Sequence, residues 1–172
     1  FYTAYAEVDG DFNPRHASAR SYRYVIPSEG LDIDLARECA KLFVGEHDFA
    51  RFCRPDGKPT VATVDSIDVS AEGETIVLTY RARFFLWNMV RRTAAAIISV
   101  ASGRSSLDEV RSALEGEDIN FGVARADALT LTSVEYEGLD FTPSSSSVLS
   151  ERVDECAFSA DLRRGFYTAL QD

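Results

Sequence analysis

One change of periodicity organises this chain, and it falls in the run Phe84-Phe85-Leu86-Trp87-Asn88-Met89-Val90-Arg91-Arg92. Apolar residues alternate before the run, which predicts a strand over residues 75–85. They recur at helical spacing after it, which predicts a helix from Leu86 to about Ser102. Arg91 and Arg92 fall one turn inside that helix, among apolar neighbours. Because an unpaired charge is costly to bury, these two arginines need an anionic partner.

The rest of the chain alternates short strands with helices. Further strands are predicted over residues 1–8, 18–26, 61–69 and 129–136, the last with one slip in its alternation. Further helices are predicted from an Asp32 N-cap to about Val44, from a Ser106 cap to about Leu114, and over residues 148–170. The stretch after the first helix, which contains His47-Asp48-Phe49, is predicted to be a loop. Hairpin links and half-polar strands favour an α+β fold, in which an antiparallel sheet carries helices packed on one face.

Length and composition predict one main domain. The chain has 172 residues, 45% of them hydrophobic, which suffices for an ordinary globular core. We expect residues 1–141 to form that domain, residues 142–147 to be a Ser/Pro linker and residues 148–172 to be a helical appendage. Charges interrupt every apolar stretch and no signal peptide is recognisable, so we expect a cytoplasmic protein with no membrane partner. The first residue is not Met, which suggests an excised fragment.

Few residues are available to bind a metal. The three cysteines, Cys39, Cys53 and Cys156, are far apart and form no Cys-x-x-Cys pair, and the only histidines are His16 and His47. We therefore expect reduced thiols and no metal site.

The charge is strongly acidic and the basic residues are almost all arginine. The formal net charge is −10, and only Lys41 and Lys58 among the 18 basic residues are lysines, which leaves 16 arginines. This composition is typical of proteins from a cytoplasm at high salt, although an ordinary acidic protein is the alternative. An acidic total argues against nucleic-acid binding unless arginines gather on one face.

Four segments in this order carry a resemblance to a known family. They are the run 84–92 quoted above, Phe12-Asn13-Pro14-Arg15-His16-Ala17-Ser18-Ala19-Arg20-Ser21-Tyr22-Arg23-Tyr24, Gly45-Glu46-His47-Asp48-Phe49 with Phe52, and Ala124-Arg125-Ala126-Asp127-Ala128-Leu129-Thr130-Leu131. Together they resemble motifs of the TruA family of tRNA pseudouridine synthases, over about residues 7–141. The resemblance implies a homodimer that isomerises uridines in the anticodon stem-loop of tRNA.

The resemblance also implies a set of site residues. Arg91 would pair with the catalytic aspartate, and Tyr22 would contact the target uracil. The residues expected to bind RNA are Arg15, Arg20, Arg23, Arg92, His47 and Asn88. The implied reaction breaks the C1′–N1 bond of uridine and rejoins C1′ to C5, so it needs a charged carboxylate and a platform for the freed base. It requires no metal and no organic cofactor. Arg91 can lower the pKa of such an acid by about 1–3 units, and stacking on Tyr22 is worth about 1–3 kcal/mol.

Each of these assignments has a structural alternative. Tyr22 could pack in the core beside Tyr24, and the two helix arginines could be solvated or capping residues. A turn with local hydrogen bonds is the favoured interpretation of His47-Asp48, with RNA-backbone contact as the other. Asp127 is rejected as the catalytic acid, because it occupies a different motif.

One family motif is missing from the chain. The catalytic aspartate of the family lies in a Gly-Arg-Thr-Asp loop, and these 172 residues contain no such stretch. An arginine common in the family also corresponds to Ala62 here, which puts one RNA-backbone contact in doubt. We therefore expect the fragment alone to be inactive. The alternatives are a non-catalytic RNA-binding module and an inert dimerising α+β domain.

The acidic total leads to a structural expectation. A phosphate backbone cannot approach a uniformly acidic surface, so the basic residues of the motifs should gather around one cleft that also holds Tyr22. The residues concerned are Arg15, Arg20, Arg23, Arg91 and Arg92.

A high-salt origin predicts salt-dependent stability. Crowded carboxylates repel one another across about 30 Å at 0.01 M ionic strength but only about 3 Å at 1 M. The melting temperature of the chain should therefore rise steeply between low salt and molar KCl, as measured by circular dichroism. A melting temperature that stays level over that range would contradict the high-salt interpretation.

Overall fold

The computed structural model describes residues 4–143 as an α+β protein with eight strands, three helices and one short 3-10 helix in that range. The strands are β1 (Ala4–Tyr5), β2 (Ala19–Pro27), β3 (Gly45–Asp48), β4 (Val61–Val64), β5 (Ser66–Glu72), β6 (Thr75–Ala82), β7 (Leu129–Glu135) and β8 (Thr142–Pro143). The helices are α1 (Ile33–Lys41), α2 (Met89–Ala101) and α3 (Leu107–Leu114), and the 3-10 helix is Ala50–Phe52.

The described residues fall into two units. The larger unit is Pro14–Glu137 and contains every candidate site residue. The smaller unit includes residues 4–13 and 138–143, in which β1 pairs antiparallel with β8. The predicted strand over residues 1–8 is therefore reduced to two described residues, and the start of the predicted linker is a strand. Residues 144–147 of that linker and the predicted final helix lie outside the described residues.

An antiparallel sheet organises the larger unit. Its strand order is β5-β6-β2-β7, and a separate two-stranded sheet pairs β3 with β4. Helix α2 packs on the sheet face that carries Tyr80, because the Thr93 hydroxyl donates a buried hydrogen bond of 3.3 Å to the Tyr80 hydroxyl. Helix α1 packs against both α2 and β5. The predicted fold class, an antiparallel sheet with helices on one face, is confirmed.

The register of β2 decides which of its side chains face the helices. Tyr22 lies directly opposite Tyr80 on β6, and Tyr24 opposite Leu78. Directly opposed residues point to the same face of a sheet, and successive residues point to opposite faces. Tyr22 and Tyr24 therefore share the helix-bearing face, and Arg23 points to the other.

A β-bulge explains the irregular alternation predicted for β7. The pairing of β2 with β7 shifts register between Ser21 and Tyr22, where the bulge inserts Thr132. The Thr132 hydroxyl fills the gap by donating a 3.1 Å hydrogen bond to the Ser21 carbonyl. One extra residue in a strand moves the following side chains to the opposite face. Leu131, opposite Tyr22, and Val134, opposite Arg20, therefore point to the same face of the sheet.

The helix ends follow from local chemistry. The Asp32 carboxylate accepts from the backbone N–H of Asp34 and Leu35, and Ser106 forms a reciprocal capping box with Glu109. Both predicted caps are confirmed. Helix α2 begins three residues later than predicted, because Asn88 adopts a left-handed backbone conformation with φ of +62° that cannot continue a helix.

Two other predictions were wrong in detail. The stretch predicted to be a loop after the first helix begins as strand β3, which includes His47 and Asp48, and continues into the 3-10 helix. The strand was missed because only four residues pair there. The single strand predicted over residues 61–69 is two strands in different sheets. They part at Asp65, whose N–H donates to the Arg81 carbonyl at 2.8 Å.

Four phenylalanines pack together and hold the 3-10 helix and the loop before β7 in place. The ring of Phe43 meets that of Phe52 edge-on at 4.9 Å and stacks with that of Phe49 at 6.4 Å between centroids. Phe52 also stacks on Phe121 at 5.8 Å, with only 15° between the rings. The first three rings are fully buried, so this cluster ties the 3-10 helix to the loop before β7.

Cys39 and Cys53 are buried free cysteines, and burial raises the pKa of the Cys39 thiol to about 12. Among residues 4–143, no cluster of three or more potential ligands could hold a metal ion. None of the helices described there has the length and apolarity needed to cross a membrane.

The phenylalanine cluster predicts a large cost for truncating its central ring. Phe52→Ala should lower the free energy of unfolding by about 3–5 kcal/mol, because the cavity it leaves is lined by rigid rings. Urea denaturation provides the measurement. Leu131→Ala is the control, since Leu131 is 48% exposed and should cost little. An equal loss for the two variants would contradict this description of the core.

Candidate functional site

Arg91 lies half-buried in the first turn of α2 with its charge only partly satisfied. Its Nε donates to the Ala124 carbonyl at 2.7 Å, and one terminal nitrogen donates to the Asn88 side-chain oxygen at 3.3 Å. Both acceptors are neutral. Among residues 4–143 no carboxylate forms an ion pair with Arg91, whereas seven other basic residues there have such partners. The guanidinium is thus held in place with part of its donor capacity available.

The loop between α3 and β7 is built around that arginine. Ala124 also donates its backbone N–H to the Arg91 carbonyl at 3.1 Å, so the two residues bond in both directions. The Tyr24 hydroxyl donates to the next carbonyl, of Arg125, at 2.8 Å. Burial raises the pKa of Tyr24, while the positive charge of Arg91 opposes that rise. Tyr24 is therefore a neutral hydrogen-bond donor that fixes the loop against the sheet.

Asn88 combines two functions at the start of α2. Asparagine tolerates the left-handed conformation better than most residues, and its side chain makes no capping hydrogen bond to the helix. It accepts from Arg91 instead. Asn88 was predicted to bind RNA, and the structure places it as a direct support of the arginine.

Tyr22 is positioned by an aromatic contact. Phe85 meets its ring edge-on at 5.2 Å between centroids, and Phe85 also contacts Tyr80 at 6.4 Å. Tyr22 is half-buried, and its hydroxyl makes no hydrogen bond within the described part of the chain. Because Tyr80 bonds to Thr93 of α2, the sheet face that carries Tyr22 is also the face covered by the helix of Arg91. The structure therefore places Tyr22 and Arg91 on one side of the sheet.

Arg20 lies on the same face but acts locally. Its guanidinium donates to the backbone carbonyls of Arg83, Pro14 and Arg15, the closest at 2.6 Å. These contacts hold the loop before β2 against the end of β6. Arg15 is exposed on that loop, so Arg20 determines where Arg15 is presented.

The expected gathering of all five arginines in one cleft is wrong for Arg23. Strand alternation turns Arg23 to the face opposite Tyr22, where it forms an ion pair with Glu72. A second pair, between Arg81 and Glu135, lies on the same outer face. Arg23 is thus already matched with a carboxylate and points away from the candidate site.

Arg92 follows Arg91 in α2 but differs from it in its surroundings. Burial and the charge of Asp48 raise the pKa of the Cys53 thiol, and the positive charge of Arg92 opposes that rise. The Arg92 Nε is buried and is the one such side-chain atom between residues 4 and 143 without a hydrogen-bond partner.

His47 and Asp48 have structural partners. The His47 Nε2 lies 3.1 Å from the Val44 carbonyl oxygen, and its ring meets Phe49 edge-on. Asp48 accepts from the Ala50 N–H at 3.0 Å and from the Thr60 hydroxyl at 2.6 Å. These local bonds are those expected of the favoured structural interpretation, although the pair lies in a strand and not in a turn.

Sequence reasoning missed three contributors to this region. Ala124 acts through its carbonyl, which has no signature in sequence. Tyr24 was considered a core residue, and its bond to the loop could not be foreseen. An exposed aromatic residue, Trp87, has Arg54 stacked on it at 4.1 Å, and only its place in the quoted run hinted at a role.

Comparison with known proteins identifies the family. The family model described as tRNA pseudouridine synthase matches residues 39–137, more than half of the chain, including Arg91 but not Tyr22. The chain is 40% identical over 139 residues to tRNA pseudouridine synthase A of Pyrococcus abyssi, which covers 78% of this chain and 53% of that protein. It is 41% identical over 137 residues to the protein of the same name from Methanosarcina mazei, covering 77% and 51%.

The chain spans about half the length of these curated relatives. The family match nevertheless covers α2, the loop around Ala124 and β7, where the site geometry lies. The resemblance drawn from the motifs is confirmed by this match. The chain therefore belongs to the TruA-type tRNA pseudouridine synthase family.

Proposed function

We propose that this chain forms the part of a tRNA pseudouridine synthase that receives the target uridine and stabilises the catalytic carboxylate. The observation that carries the proposal is the state of Arg91, which is half-buried and bound to two neutral acceptors without a carboxylate in residues 4–143. A half-buried cation of this kind favours an anionic partner. The aspartate that the reaction requires would come from a segment outside this sequence.

Arg91 would act on that aspartate through charge. A guanidinium within about 4–6 Å lowers the pKa of a carboxyl group by about 1–3 units, so the acid stays ionised at neutral pH. The two bonds to Ala124 and Asn88 fix the direction of the guanidinium before the acid arrives. Such preorganised charges are effective because they need no rearrangement during the reaction.

Tyr22 would support the base during the isomerisation. The C1′–N1 bond breaks, the base turns, and C1′ joins C5, while C5 loses a proton and N1 gains one. A loosened uracil must be held during that turn, and an aromatic ring offers a surface that tolerates rotation. Phe85 fixes the ring of Tyr22 edge-on. The Tyr22 hydroxyl makes no hydrogen bond within residues 4–143, so we propose that it contacts the base.

The identity of the RNA is a further part of the proposal. Relatives are named as tRNA pseudouridine synthases, and we propose tRNA as the substrate, with uridines of the anticodon stem-loop as targets. Homodimerisation and a cytoplasm at high salt belong to the same proposal. Arg15, Arg20 and Arg92 are the arginines that remain as RNA contacts, since Arg23 is turned away and matched by Glu72.

A chimera tests the role of Arg91. The region of the Pyrococcus abyssi relative not covered by the alignment is fused to this chain, and pseudouridine in an unmodified tRNA transcript is measured after nucleoside digestion. The chimera should form pseudouridine, and this chain alone should form none. Arg91→Ala in the chimera should reduce the rate roughly a hundredfold or more with little change in tRNA affinity, and Arg91→Lys should retain an intermediate rate.

Arg104→Ala is the matched control for charge, because Arg104 is exposed after the far end of α2 and forms no ion pair with residues 4–143. It should leave the rate unchanged. An Arg91→Ala chimera as active as the parent would contradict the proposal. Tight tRNA binding without product in the chimera, with any N-terminal donor from the family, would favour the RNA-binding module.

A further inference from the structure

A cavity lies next to the candidate site, where Arg54 stacks on Trp87. It has a volume of about 390 Å³ and opens between the loop after the 3-10 helix and the segment leading into α2. Its lining includes two exposed aromatic residues, Phe84 and Trp87, two cationic residues, Arg54 and Lys58, and one carboxylate, Asp56. Phe85 lines it too.

The wall of this cavity combines a flat aromatic surface with an unmatched positive charge. Trp87 is 54% exposed and Phe84 is 45% exposed. The Arg54 guanidinium lies 4.1 Å from the centre of the Trp87 ring, and the Arg54 N–H donates to the Trp87 carbonyl at 2.7 Å. Lys58 pairs with Asp56 at 3.0 Å, but Arg54 has no carboxylate partner among residues 4–143. Although the chain carries a net charge of −10, the Arg54 guanidinium is a local positive charge that can attract an anion.

Phe85 connects this cavity to the proposed position of the target base. Its ring lines the cavity and also packs against Tyr22 at 5.2 Å. A nucleotide in the cavity would therefore be a near neighbour of a uracil held at Tyr22. Proteins that hold unpaired RNA combine aromatic surfaces for the bases with cations for the backbone, and this wall has both.

We propose that the cavity binds a second unpaired nucleotide of the RNA, adjacent to the target uridine. Its base stacks on Trp87 or Phe84, and its phosphate lies against Arg54. This inference rests on the proposed function, since it takes RNA as the substrate. At such a site, the identity of the nucleotide beside the target, and whether that nucleotide is unpaired, would affect binding independently of the reacting centre.

The protein reports on this site through its own fluorescence, because Trp87 is the only tryptophan. The chain is titrated with an unmodified tRNA transcript, a single-stranded oligouridine and an RNA duplex. The first two should quench Trp87 in a saturable way, and the duplex should quench it much less, because its bases are already stacked and paired. Quenching by the duplex equal to that by oligouridine would overturn the proposal.

Substitutions measured by the anisotropy of labelled oligouridine identify the contacts. Phe84→Ala and Trp87→Ala should each weaken binding about 5- to 100-fold, and Trp87→Phe should bind nearly as well as the parent. Arg54→Ala should weaken binding and reduce its salt dependence, while Arg104→Ala removes the same charge elsewhere and should change neither. Melting curves of every variant verify that it is folded.

The outcome separates this inference from the proposed function. If tRNA binds without changing Trp87 fluorescence, or if Trp87→Ala and Phe84→Ala bind as the parent does, the second nucleotide site is wrong. An active chimera would then leave the role of Arg91 intact. Quenching that depends on Arg54 but not Arg104 supports the site even where the chimera forms no pseudouridine.

Discussion

A half-buried guanidinium held by neutral acceptors is the constraint around which this structure is arranged. Arg91 bonds to Ala124 in both directions and to Asn88 through its side chain. The loop that supplies Ala124 is fixed by Tyr24 on one side and by the stacking of Phe121 on Phe52 on the other. Sheet, helix and aromatic cluster thus all contribute to the position of one charge. That charge forms no ion pair with a carboxylate within residues 4–143, which is why we propose that the catalytic acid comes from another segment.

The motif residues divide into those that build the scaffold and those left free for chemistry. His47, Asp48, Phe49 and Phe52 are occupied by local hydrogen bonds and ring packing. Tyr22 differs, because its ring is fixed while its hydroxyl makes no bond to the described residues. A binding site needs polar groups that are held rigidly in place but are not already engaged in hydrogen bonds. Arg54 resembles Tyr22 in this respect, because its guanidinium is held against Trp87 and has no carboxylate partner among residues 4–143.

Local features were predictable from sequence, and contacts between distant segments were not. The caps at Asp32 and Ser106 depend on residues two or three positions away, and the slip in β7 is visible in its alternation. Alternation along β2 also separates Arg23 from Tyr22, so the expected gathering of five arginines conflicted with the strand pattern itself. Strand β3 was missed because its four residues are defined by pairing with β4. The role of the Ala124 carbonyl could not be predicted, because every residue has a carbonyl and nothing in the sequence distinguishes this one.

Photo-crosslinking tests most directly whether the RNA target lies between Tyr22 and Arg91. The chain is irradiated with a tRNA transcript in which 4-thiouridine replaces uridine, and crosslinked peptides are identified by mass spectrometry. This account predicts crosslinks at Tyr22 or within residues 84–92, on the helix-bearing face of the sheet, assigned to single residues by fragmentation of the crosslinked peptides. Crosslinks confined to the outer face, around Arg23 and Arg81, would contradict it, because that face is separated from Arg91 by the sheet itself.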